Sequence, residues 1–147
     1  MSDKTNFRYA ERCLYEYPEN CIRLEALKKA LEELRDSASV RGQSYEPVGR
    51  GGAGDPVGNR AQRIADLESE VQRLEAVTMP ISLLRRDLTK DYVLPNSEKD
   101  EMGRIMALCY FGANSNAAVA MKLGMSEKSV YRVRCRLVKK VIRCLGC

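Results

Sequence analysis

Histidine and tryptophan are both missing from the 147 residues, and phenylalanine occurs only twice. Without histidine the chain lacks the commonest general base and the commonest metal ligand. Two phenylalanines and no tryptophan argue against one large aromatic-filled core, although 44% apolar residues suffice for a modest one. Long hydrophobic runs are also missing. No window approaches the roughly 20 apolar residues of a membrane span, and the opening "MSDKTNFRYAERC" has no apolar core region of a signal peptide. These absences predict a soluble, cytoplasmic protein with no membrane partner. In that compartment Cys13, Cys21, Cys109, Cys135, Cys144 and Cys147 are expected to be reduced thiols, not a disulfide framework.

What the chain does have is charge, unevenly spread. Charged residues make up 31% of it and the formal net charge is +5. Residues 1–94 carry 15 basic and 16 acidic side chains, whereas residues 95–147 carry 10 basic and 4 acidic, a net of +6. The whole positive excess lies in the last third, which points to a polyanionic partner at that end.

Apolar periodicity predicts an all-α protein. Phe7, Ala10, Leu14 and Tyr17 give a short helix over 6–17, which Pro18 should end or restart. Leu24, Leu27, Leu31 and Leu34 then recur at steps of three and four, with charged residues between them, as a coiled-coil seam of under two heptads. Residues 36–58, "DSASVRGQSYEPVGRGGAGDPVG", read as a flexible linker because Gly, Ser and Pro remove the helical pattern. A second seam follows at Ile64, Leu67, Val71 and Leu74. Each is too short to stand alone, so the two should fold as an antiparallel hairpin or pair between chains, and a hairpin that also supports a homodimer is the favoured form. Met79-Pro80 should end or kink this helix, with one more short helix over 81–92. Residues 1–94 thus form a helical hairpin for oligomerisation or partner contact.

Residues 95–147 read as a second domain. Ser97 is placed to cap a helix whose face carries Met102, Ile105, Met106, Cys109 and Tyr110, ending at Gly112 and Asn114. A short helix from Ser115 or Asn116 to Leu123 precedes Gly124, and Ser126 should cap a last long helix. The stretch "VAMKLGMSEKSVYRVRCR" (119–136) has the spacing of a tight helix-turn-helix: a small residue, Ala120, at the crossing, and Gly124 where the turn favours positive φ. Packing falls to Val119, Ala120, Leu123, Gly124, Val130 and Val133, with Leu137 and Val141 continuing the buried stripe. Lys128, Ser129, Tyr131, Arg132, Arg134, Arg136, Lys139, Lys140 and Arg143 are expected to face outward. Such a helix fits the major groove of double-stranded DNA, its first residues reading bases and its later lysines holding phosphates.

"AVAMKLGMSEKSVYRVRCRLVKKV" resembles the helix-turn-helix of sigma-factor region 4 and of the ArpU/RinA-type phage transcriptional regulators. The segments "RYAERCLYEYPENCIRLEALKKALEELR", "DPVGNRAQRIADLESEVQRLE" and "MALCYFGANSNAAVAMKLGMS" are similar to those regulators in order and spacing. The resemblance implies control of phage or prophage genes in a bacterial host, often late ones. It also implies DNA contacts from Ser126, Lys128, Ser129, Tyr131, Arg132 and Arg136. Where relatives show a bulkier helix start, this chain has "ANSN" (113–116), so fraying is expected there.

Other chemistry finds little support. Cys144 and Cys147 have the spacing of half a zinc site, with Cys135 a conceivable third ligand, but no second paired motif closes it. "GRGGAGD" (49–55) lacks the Gly-Lys-Ser/Thr ending and the preceding strand of a phosphate loop. Glu32 and Glu33, or Asp100 and Glu101, occupy exposed helical positions unsuited to paired acid–base work. The expectation is therefore a transcriptional regulator that is no enzyme and needs no metal or cofactor. The competing readings are a sigma-like factor docking on RNA polymerase, a small terminase subunit recognising DNA, and a coiled-coil scaffold with a non-specific basic tail.

Overall fold

Residues 2–44, 56–90 and 93–146 are described by the computed structural model. Among these residues every regular element is helical: α1 (Asp3–Ser44), α2 (Pro56–Leu88), α3 (Glu98–Ile105), a π-helical turn (Met106–Phe111), α4 (Asn116–Leu123) and α5 (Glu127–Leu145). No helix among them is long and apolar enough to cross a membrane.

The first two helices are longer than their sequences predict. α1 runs through Pro18, and α2 runs through Pro80 to Leu88. A proline deprives a helix of one hydrogen bond but already holds the helical φ, and buried side chains flank both prolines: Leu14 and Tyr17 before the first, Leu74 and Ile81 around the second. The expected short helix over 81–92 is therefore the end of α2, and Asp91 and Tyr92 lie outside the described residues. The linker also shrinks. Residues 36–44 continue α1 and residues 56–58 open α2, because extending a formed helix costs far less than nucleating one. The rest of that linker, including all of "GRGGAGD", lies outside the described residues.

Two compact units emerge, one of Met1–Asn20 with Ala76–Cys147 and one of Cys21–Glu75. This division differs from the expected 1–94 and 95–147. The reason is burial: Ala10, Cys13 and Leu14 at the start of α1, and Ile81, Leu84 and Leu88 at the end of α2, belong to the same unit as α3–α5 and are shielded there. Tyr17 joins the two segments, its hydroxyl 2.7 Å from that of Ser82 and its ring stacked on Phe111 at 4.9 Å.

The smaller unit has a thin interior. Of the eight seam residues only Leu31 and Leu74 are fully buried, and the others are half-buried. Charge pairs surround them: Lys28 with Glu75 at 2.9 Å, Arg35 with Glu68 at 2.6 Å, and Arg23 with Glu70 at 3.8 Å. Such exposed pairs contribute little individually, about 0–1 kcal/mol.

In the larger unit each helix start carries its own signal. Ser97, Ser115 and Ser126 each accept a hydrogen bond from the amide three residues on, Asp100, Ala118 and Ser129, at 3.1–3.2 Å. The "ANSN" start is thus capped by Ser115, where fraying was expected. Asn96, at φ 63°, donates its amide to the Asp100 carboxylate at 2.9 Å, and Arg104 reaches the same carboxylate at 3.3 Å. Asp100 is therefore an anchor of the α3 start.

Gly124 closes α4 in the left-handed region at φ 64°, and the Met125 amide returns to the Ala120 carbonyl at 3.0 Å. A Cβ on Gly124 would meet nothing within 4 Å, so its only cost is backbone strain. Gly124→Ala is expected to lower stability by about 1 kcal/mol, the left-handed penalty less the reduced freedom of the unfolded chain. Gly124→Asn should lose less, since asparagine tolerates this region. Urea unfolding of the two variants tests the order.

Candidate nucleic-acid interface

α5 packs through one side. Val130, Val133, Leu137, Val138 and Val141 are buried, and Val119 and Ala120 of α4 and Ile105 of α3 are buried in the same unit. Leu123 is half-buried and Gly124 exposed at the turn. The expected packing stripe is present, with Val138 added to it.

On the far side, Lys128, Arg132, Arg136, Lys139 and Arg143 are exposed, and they recur at steps of three and four. That spacing stacks them in one row along the helix. From Lys128 to Arg143 the row is about 22 Å long. No ion pair among the described residues engages any of them. Glu127 is the one acid of the helix, and it sits in the first turn, where the helix dipole favours it. Tyr131 is 59% exposed beside the row, while Ser129 and Lys140 are half-buried at its edges. Ser126 supplies the cap and also donates its hydroxyl to that of Ser129 at 2.9 Å.

Arg134 departs from the expected set. Its side chain is only 17% exposed. Nε donates to the Tyr110 hydroxyl at 3.2 Å, Nη1 to Asn116 Oδ1 at 2.7 Å, and Nη2 to the Tyr15 hydroxyl at 3.2 Å. Nη2 also faces Glu11 Oε2 at 3.5 Å, and the guanidinium lies 5.0 Å from the centre of the Tyr110 ring. Arg134 is thus committed to the interior and is no candidate for a DNA contact. The periodicity contains the reason, because position 134 follows Val130 by four and precedes Val138 by four, on the buried side of the helix.

The π-helical turn prepares this arrangement. The Gly112 amide reaches back five residues to the Ala107 carbonyl at 2.8 Å, widening the last turn. Such a turn inserts one residue into a helix and rotates those that follow. Here it buries Cys109 and Tyr110 and sets the Tyr110 ring edge-on to Tyr15 at 4.8 Å. Asn114 holds the exit, its amide and side-chain nitrogen both donating to the Leu108 carbonyl at 3.0 and 2.9 Å.

Burial pushes the Tyr110 hydroxyl above its ordinary value of 10.0, against the opposing hydrogen bond from Arg134. The Cys109 thiol is raised for the same first reason, burial. Folded protein keeps the Tyr110 proton where unfolded chain releases it. Its stabilising share is therefore complete below pH 10 and is lost as pH rises further. Wild type should lose stability above pH 10 more steeply than Tyr110→Phe, by up to about 1.4 kcal/mol per pH unit. Urea unfolding of both proteins at pH 8.5 and 11 checks this difference.

Among the described residues no cluster of three or more His, Cys, Asp or Glu side chains could hold a metal ion. Cys144 is exposed, Cys135 is half-buried next to Tyr131, and Cys147 lies outside the described residues.

No family model matches the chain. No curated protein matches its sequence, and no solved structure matches its fold.

Proposed function

We propose that this chain is a sequence-specific DNA-binding regulator of transcription in which α4, the turn at Gly124–Ser126 and α5 form a helix-turn-helix. The observation that carries this reading is the row Lys128, Arg132, Arg136, Lys139 and Arg143, exposed and with no acidic partner among the described residues, on a helix whose other side is buried. An exposed cationic row suits a polyanion, and a single helix fits a major groove about 12 Å wide. Side chains near the start of α5, from Lys128 to Arg136, would reach base edges. Lys139 and Arg143, more than about 15 Å further along from Lys128, would pass the groove and meet phosphates. The chain would work by binding, without catalysis or cofactor.

Residues 21–75 would serve as an antiparallel hairpin for association. Its half-exposed seam leaves apolar surface that a second chain could cover, giving a homodimer on a two-fold operator. RNA polymerase is the further protein partner in this reading. The resemblance to ArpU/RinA-type regulators directs it to phage or prophage genes in the nucleoid of a bacterial host.

Selection of bound sites from random duplexes, run beside a mass measurement in solution, tests the proposal. The expected result is an enriched sequence, bound preferentially at physiological salt by a monomer or dimer. Equal binding of all duplexes, collapsing as salt rises, would leave only a scaffold with a basic end. Assembly into rings would favour a terminase subunit.

A further inference from the structure

Among the large apolar side chains exposed on the described residues, only Met79 and Leu83 fall one turn apart on the same helix, and they are 51% and 56% exposed. That spacing makes them neighbours on the outer side of α2, opposite the buried Thr78, Ile81, Leu84 and Leu88. Ala76 and Arg86, both exposed, extend the same side by three residues each way. The steps of three, four and three are those of a seam between paired helices. Charge is missing from residues 76–84, although from Arg60 to Glu75 no gap between charged residues of α2 exceeds three positions. A helix that faced only water there would carry polar side chains on this side.

The ends of the uncharged run differ in sign. Glu75 precedes it, and Arg85 and Arg86 follow it. Glu75 meets Lys28 at 2.9 Å, yet its side chain stays 34% exposed. Arg86 is exposed and enters no ion pair among the described residues. Arg85 turns toward the core, its guanidinium 5.5 Å from the centre of the Phe111 ring, and Asp87 is answered by Lys99 at 3.3 Å. The outer side therefore has an apolar centre, an acid at one end and a free cation at the other.

We propose that a second copy of this chain covers Met79 and Leu83, the two α2 helices running antiparallel about a two-fold axis level with residue 81. In that register Met79 of one protomer lies level with the partner's Leu83, and Ala76 with the partner's Arg86. The small Ala76 leaves room for the arginine stem, and the guanidinium lies within about 1.5 Å, along the axis, of the partner's Glu75. A two-fold contact uses the same patch on both copies, so every pairing occurs twice. Parallel helices would set the two Arg86 side chains against each other, and charge thus selects the antiparallel copy. The contact lies on the outer side of α2, in the unit that contains α5, and stands apart from both the seam of residues 21–75 and the DNA reading of α5.

The test is the mass of the full chain in solution, without DNA, across a dilution series. Three turns of helix cover less than the about 1,200 Å² of a standard interface, so wild type should dimerise weakly and dissociate on dilution. Leu83→Glu should raise the dimer dissociation constant about 30-fold, with an unchanged helical circular dichroism spectrum because the side chain is exposed. Arg86→Glu and Glu75→Arg should each raise it about tenfold, since either change opposes like charges twice. The double variant Glu75→Arg/Arg86→Glu exchanges the two charges and should return to within about threefold of wild type. A wild type that stays monomeric at every concentration, a dimer untouched by Leu83→Glu, or a double variant no better than its singles overturns the proposal.

Discussion

Arg134→Ala should destabilise the protein by about 3 kcal/mol, the largest loss expected from any single charged side chain in it. The guanidinium serves four acceptors drawn from α1, the π-helical turn and the start of α4. Removing it strands the Tyr110 hydroxyl, which is 1% exposed with its residue, and leaves the half-buried Glu11 and Asn116 short of a donor. Breaking a largely buried charged network by deleting one member costs about 3–5 kcal/mol, and the lower end applies because Tyr15 and Glu11 retain access to water. The melting temperature should fall by about 10 °C at this chain length. Arg134→Lys separates charge from geometry. One ammonium cannot reach acceptors arranged around a planar fork, so lysine should recover less than half of the loss. Arg132→Ala and Arg136→Ala, on the exposed side, should stay within about 0.5 kcal/mol of wild type. Equal stability losses for all three arginines would contradict the separation between an inner and an outer side of α5.

How much of this was legible beforehand depended on distance along the chain. The serine caps, the left-handed Gly124 and the buried valines of α5 are local, each decided within about four residues, and the sequence shows them directly. The prolines misled because a proline's penalty is local while burial of Leu14, Tyr17, Ile81 and Leu84 is not. The linker is narrower than its composition suggests for a related reason. "SASVRGQS" has weak helix propensity but follows a long helix already formed. The π-helical turn left no sequence signal, since the apolar spacing from Met102 to Tyr110 suits an ordinary helix equally well. Joining residues 3–20 to the C-terminal helices was invisible for a plainer reason: Glu11 and Tyr15 meet a residue about 120 positions away. Arg134 was within reach, however. Its spacing from Val130 and Val138 marks it as inward-facing, and only its charge suggested otherwise.

Arg132→Ala should weaken binding to the preferred duplex by about 2 kcal/mol, roughly 30-fold, and relax the preference at one base position. Arg132 sits near the start of the exposed row, one turn after Lys128, where a helix inserted by its first turns would lie deepest and a guanidinium could make two hydrogen bonds to a guanine edge. On random duplexes the loss should be smaller, because no base contact is available there to lose. Lys139→Ala offers the contrast. Two turns further along, its ammonium would meet phosphate, so its removal should lower affinity for every duplex alike and flatten the salt slope by about 0.9. Competition assays with preferred and random duplexes at two salt concentrations separate the two patterns. Equal losses on both duplexes for Arg132→Ala would reassign it to the backbone, whereas a base-specific loss for Lys139→Ala would mean that the helix enters the groove by its middle and not by its start. Either outcome would leave Arg134 inside the protein, where its four acceptors hold α5 in a rotation that keeps Arg132 and Arg136 on the exposed side.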